Sequence, residues 1–83
     1  MIGDMTARTS ELEKRERERI GATIRALRLK MGWRADDFAV EVGISRPYLS
    51  NIEAGRKAVT PILVANIAKA LDVPQVAIVR IAA

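Results

Sequence analysis

An all-α fold, five short helices behind a charged N-terminal helical extension, is what this sequence of 83 residues predicts. Three observations lead there. Apolar residues recur at the spacing of one helix face, as in Ile20, Ile24, Leu27 and Met31. Each such segment is bounded by residues that start or stop helices: Gly32, Gly43, Ser45, Gly55, Thr60, Pro61 and Pro74. No segment alternates apolar and polar side chains as a half-buried strand does. The length suits one domain, and with 49% apolar residues a compact core can form at this size. Trp33, Phe38 and Tyr48 are the only aromatic residues, so that core must be mostly aliphatic.

Residues 1–8 show no periodicity. Ser10-Glu11-Leu12-Glu13 fits a capping box, with Ser10 as cap and Glu13 reaching back. The charged run that follows carries one apolar side chain, Leu12, and reads as a solvated helical lead-in. Residues 1–19 are therefore expected to be a partly helical extension that the fold does not need, and 20–83 the domain itself. The first helix of that domain ends near Gly32. A second spans 35–42, with Phe38, Ala39 and Val42 on one face. Asp36 and Asp37 lie in its first turn, where the helix dipole favours negative charge. Arg34 stands at its cap, an unusual choice. Gly43 closes it and Ser45 caps the third helix, whose first turn tolerates Pro47. Gly55 stops that helix. Thr60-Pro61 opens a fourth, with Val64, Ile67, Ala68 and Leu71 inward. Pro74 precedes a fifth helix over 75–81, with Ile78 and Val79 facing in.

Composition excludes much chemistry. The chain has no cysteine and no histidine, so disulfides, thiolate or imidazole metal ligation and Ser–His or Cys–His catalysis are impossible. The acidic residues are scattered or capping, and no Gly-rich phosphate loop is present. We expect no enzyme, no cofactor and no metal. The net charge of +4 favours a polyanionic partner. No apolar run approaches the ~18 residues of a membrane span, and the N-terminus lacks a signal-peptide core. A soluble, cytoplasmic protein with no membrane association is expected.

The break at Gly43 is the informative feature. Counted from Ala35, the apolar residues Phe38, Val42, Ile44, Leu49 and Ile52 take places 4, 8, 10, 15 and 18 of a twenty-residue window. Ala39 supplies the small residue that two steeply crossing helices need where they touch. Gly43 supplies positive φ in the turn. On a helical wheel, Leu49 and Ile52 define the buried side of the third helix. Pro47, Ser50, Asn51 and Ala54 cluster opposite, flanked by Arg46 and Tyr48. That outer face is small, polar and headed by a cation. The arrangement resembles a helix-turn-helix, whose second helix lies in the DNA major groove.

With the segments RALRLKMGW, FAVEVGIS, YLSNIEAGR, TPILVANIAKALDV and the closing IV pair, residues 21–79 resemble the Cro/repressor-type, or XRE-class, helix-turn-helix domain. The resemblance implies a five-helix, lambda-repressor-like DNA-binding fold. It implies a structural ion pair between Arg28 and Glu53. It also implies a DNA-facing set: Arg46, Pro47, Tyr48, Ser50 and Asn51 on the third helix, Arg56 and Lys57 after it, and Arg34 on the entering helix. Arg46 would read guanine, and Asn51 would read adenine or hold a phosphate. Pro47 would offer only an apolar contact. Tyr48, Ser50 and the basic residues would hold phosphates. The chain departs from the family where a Ser/Thr cap and a Gln often open the second helix: here stand Arg34 and Ala35. The extension also lies outside the family pattern.

The function implied is sequence-specific binding of double-stranded DNA by a transcriptional regulator, a repressor on a palindromic operator. A homodimer is expected, joined through Val76, Ile78 and Ile81 in preference to the charged N-terminal helix. No second domain follows, so no inducer site is expected. The other reading is a protein-interaction module that docks a toxin or a component of the transcription machinery. A docking surface should be apolar and aromatic, unlike the outer face of the third helix.

Overall fold

The computed structural model describes residues 2–79, with side chains from Ser10 onward. Four α-helices and one 3₁₀ turn make up the regular structure: α1 (Ile2–Lys30), α2 (Ala35–Val42), α3 (Arg46–Glu53), α4 (Pro61–Leu71) and the 3₁₀ turn Gln75–Ala77. α1 is unbroken across Ser10 and across the boundary expected at 19/20. The capping box is thereby corrected: Ser10 lies inside the helix and caps nothing. The physical reason is plain in the sequence. From Asp4 to Ile20 there is neither glycine nor proline, and Glu, Arg, Lys and Leu are good helix formers. Ion pairs Glu11–Arg15 (3.7 Å) and Glu16–Arg19 (2.7 Å) add support along the exposed surface.

The inward stripe of α1 is also revised. Ile24 is fully buried, and Ile20 and Leu27 pack on the core, but Met31 is exposed. The next inward place after Ile24 belongs to Arg28, four residues on, a charged residue that is buried.

α2 and α3 have the expected bounds. Arg34 makes no side-chain cap bond; its carbonyl accepts the Phe38 N–H at 2.9 Å and so begins the helix. Gly43 sits at φ 80°, where a side chain would be strained, and its N–H bonds back to Val40 O at 3.1 Å. Two residues later Ser45 Oγ accepts the Tyr48 N–H at 3.1 Å and starts α3. Thr60 caps α4 in the same way through the Leu63 N–H at 3.2 Å. The last element differs from expectation. In place of a fifth α-helix over 75–81 there is a 3₁₀ turn, in which Ile78 N–H reaches Gln75 O at 2.9 Å. Branched Val76, Ile78 and Val79 are poor helix formers. The tight turn also drops Ile78 into the core, where it is fully buried. Ile81 lies outside the described residues.

The core gathers Ile24 from α1, Phe38, Ala39 and Val42 from α2, Leu49 and Ile52 from α3, and Leu63, Ile67, Ala68 and Leu71 from α4. Trp33 meets Phe38 edge-on, with ring centroids 5.7 Å apart. α1 approaches the end of α3 backbone to backbone. A Cβ at Gly21 would stand 2.1 Å from Ile52 O, so only glycine permits this crossing. Above it, a Cβ at Gly55 would stand 2.7 Å from Glu18 Cα, and Arg17 Nε donates to Gly55 O at 3.3 Å. Arg17 and Glu18 therefore belong to the packed body.

Arg28 ties this crossing to the turn after α1. Its Nε donates to Glu53 Oε2 at 2.7 Å, its Nη2 to Oε1 at 3.0 Å, and its Nη1 to the Trp33 carbonyl at 3.0 Å. Both side chains of the pair are more than nine-tenths buried. The hydrogen bonds to Glu53 hold the guanidinium pKa above its usual value, against the opposing effect of burial.

Five outcomes follow for stability. Glu53→Ala leaves a buried, unpaired arginine and should cost about 3 kcal/mol in a denaturant melt. The Arg28→Ala/Glu53→Ala double variant should lose much less than the sum of the single losses; additive losses below about 1 kcal/mol each would remove the pair from this account. Gly21→Ala should cost about 1–3 kcal/mol, because the obstacle is backbone and cannot rotate away. Removing 1–12 should leave the melting temperature nearly unchanged. Removing 1–19 should lower it by roughly 4–8 °C, the shift that about 1 kcal/mol produces at this size.

Candidate nucleic-acid interface

α3 turns Leu49 and Ile52 into the core and leaves Arg46, Pro47 and Ala54 exposed. Ser50 and Asn51 are half-buried at the same outer surface. Tyr48 is half-buried too, and packs against the edge of the core. No bulky apolar side chain stands on this face, so a polar, grooved partner can approach the helix closely.

The polar groups of the face are already engaged. Arg46 Nη1 donates to Ser50 Oγ one turn along α3. Its Nε lies 3.3 Å from Asp36 Oδ1, in the first turn of α2. At the other end, Arg56 Nη1 donates to Asn51 Oδ1 at 3.3 Å. The backbone N–H groups of Arg56 and Lys57 also point to Asn51 O, at 2.8 and 3.3 Å. The loop thus folds back over the C-terminus of α3. The amide nitrogen of Asn51 keeps its two N–H groups as donors for a partner. Bidentate recognition of adenine uses the oxygen as well, and Oδ1 has a second lone pair for it beside the one that Arg56 takes.

Among the eight residues singled out for DNA contact, side-chain contacts join two pairs. Arg46 and Ser50 stand together, and Asn51 and Arg56 stand together. Arg34 is exposed at the head of α2. Lys57 is exposed in the loop, beside a different groove lined by Glu13, Glu16, Arg17, Ile20, Ala58 and Val59. The groove next to Arg46 and Ser50 is completed by Arg25, Arg28, Glu53 and Ala54. Arg25, an exposed residue of α1 that lines this groove, is a candidate that sequence reasoning missed. Its signal was the pair Arg25 and Arg28 three apart on one helix: the second turns inward to Glu53 and the first reaches the same groove. Asp36 was noted only for the helix dipole, and nothing local in the sequence marks its approach to Arg46.

Charge is distributed unevenly along the chain. In residues 1–19, Arg8, Lys14, Arg15, Arg17 and Arg19 are balanced by Asp4, Glu11, Glu13, Glu16 and Glu18. The whole excess of +4 therefore belongs to 20–83. Among the described residues, no group of carboxylates is placed to hold a metal ion, and no helix is long and apolar enough to cross a membrane.

Comparison with known proteins agrees with this geometry. A helix-turn-helix family model matches residues 24–74. No match was found among curated proteins. Among solved structures, the clp gene regulator ClgR from Corynebacterium glutamicum is similar at 34% identity and a TM-score of 0.72, over 75% of this chain and 66% of that one. The restriction-modification controller protein C.AhdI from Aeromonas hydrophila is similar at 26% identity and a TM-score of 0.72, over 75% of this chain and 94% of that one. A hypothetical transcription factor, NHTF, from Neisseria is similar at 25% identity and a TM-score of 0.73, over 81% and 77%. The family match covers more than half of the chain and spans both helices and the turn between them. The chain belongs to the XRE-type helix-turn-helix family: it has the fold of a DNA-binding regulator and is not an enzyme.

Proposed function

We propose that this protein is a transcriptional repressor that binds a near-palindromic operator as a homodimer, with α3 in the major groove. The observation that carries the reading is the outer face of α3, small and polar and headed by Arg46 beside a groove that Arg25 enters. A face meant for a protein partner would carry apolar anchors there. Similarity to a clp gene regulator and to a restriction-modification controller supports a role in control of transcription. Arg46 and Asn51 are assigned to base edges. Arg34, Arg56 and Lys57 are assigned to phosphates, with Tyr48 and Ser50 beside them and Pro47 limited to an apolar contact.

Two copies are proposed because one short recognition helix buries little surface, and a dimer reaches half-sites about 34 Å apart. The contact once assigned to the C-terminal segment needs revision. Ile78 is fully buried within its own chain, and of the three residues assigned to that contact Val76 is the exposed one among those described.

The test starts with an unbiased selection of bound duplexes, followed by titrations of the selected and a scrambled duplex at several salt concentrations. Arg46→Ala and Asn51→Ala should each lose about 1–3 kcal/mol on the selected duplex and relax the preference at one base pair. Lys57→Ala should weaken both duplexes alike and reduce the salt slope by about one unit per half-site. Two protein chains should sediment with each duplex. If all three variants behave alike on both duplexes, α3 is not the reader and docking of a protein partner becomes the leading explanation.

A further inference from the structure

We infer that Asp36 is a specificity-determining residue that positions Arg46 for base recognition, an inference that rests on the proposed role of α3. Arg46 opens α3, and its long side chain has many rotamers in water. Two groups on different helices hold it: the Asp36 carboxylate of α2, an ion-pair partner with Oδ1 3.3 Å from Nε, and Ser50 Oγ of α3, which accepts from Nη1. An arginine has five N–H donors. With Asp36 on the Nε side and one N–H given to Ser50, the terminal nitrogens keep enough donors for a bidentate contact to guanine O6 and N7. The guanidinium is thus oriented before any partner arrives.

Stability does not explain the Asp36 pair. Its side chains are 75% and 48% exposed, and exposed ion pairs contribute little. Near a polyanion, a carboxylate should weaken binding. Asp36 therefore has two opposing effects that an experiment can separate. As a charge, it lowers affinity for every duplex equally. As an orienting group, it raises preference for one base pair per half-site. Ser50 alone cannot fix the guanidinium, because one hydrogen bond leaves it free to swing about the donor.

The experiment is parallel selection from a randomised duplex library with the wild-type protein, Asp36→Asn, Arg46→Ala and the double variant. Circular dichroism of each confirms the fold, which the exposure of both side chains leaves undisturbed. The wild-type protein should enrich a guanine at one position of each half-site. Arg46→Ala should abolish that enrichment. A bidentate contact discriminates by roughly 5- to 150-fold. Asp36→Asn should lose most of that factor at the same position alone, while scrambled duplex binds equally or more tightly. The double variant should match Arg46→Ala there. If Asp36→Asn keeps the full guanine preference and only tightens binding to all duplexes, Asp36 is a repulsive charge and the inference falls. If Arg46→Ala leaves the enriched sequence intact, the reading of α3 itself is overturned, and the inference with it.

Discussion

The position of α3 depends on one buried cation. Arg28 reaches from α1 to Glu53 at the end of α3 and to the Trp33 carbonyl in the turn before α2. Three parts of the chain are thereby fixed by a single planar group. Lysine could not replace it, because a point charge on a flexible stem cannot bond a carboxylate through two parallel N–H groups and a carbonyl through a third. The pair is costly to desolvate, and apolar residues of equal volume often hold helices together as well. What apolar packing lacks is direction. The fork fixes the distance and rotation of α3 against α1 together, and on this fold that rotation decides which side chains face outward.

A second constraint acts at the same place. At Gly21 the α1 backbone touches the carbonyls of Ile52 and Glu53 directly, and at Gly55 the loop lies against Glu18. Backbone contacts have no rotamers, so they leave little room for α3 to slide. The loop adds its own fastening through Asn51, whose carbonyl takes two N–H groups and whose side chain takes Arg56. α3 is therefore held along its inner side and at its C-terminal end. Its N-terminal end is set by Ser45 and by the glycine turn.

α2, α3 and α4 were legible in the sequence because their ends are written locally. Gly43, Ser45 and Thr60 each act on neighbours within a few residues, and each does so in the structure. The readings that failed needed information from elsewhere in the chain. Ser10 has the chemistry of a cap, but nothing before it interrupts the helix. Met31 continues the apolar spacing of α1, yet the inward place beside it belongs to Arg28, whose claim depends on Glu53 twenty-five residues away. The last segment has helical spacing, but the need to bury Ile78 so soon after α4 favours a tighter turn. At the candidate interface, the outer face of α3 could be read from its wheel. Arg25 and Asp36 could not, since only the crossing of helices brings them beside Arg46.

The candidate reading groups are not free cations waiting for a ligand. Arg46 is engaged by Asp36 and Ser50, and Asn51 by Arg56. On the proposed function, binding DNA would exchange some of these contacts and add others. Each exposed contact given up is weak, so exchange costs little in affinity. Its consequence lies in orientation. A side chain with a defined starting position loses less freedom on binding, and a base that fails to match leaves broken internal contacts uncompensated. On that function, the same small polar face would bind any duplex through phosphates, yet favour one sequence through the few groups it already holds in place.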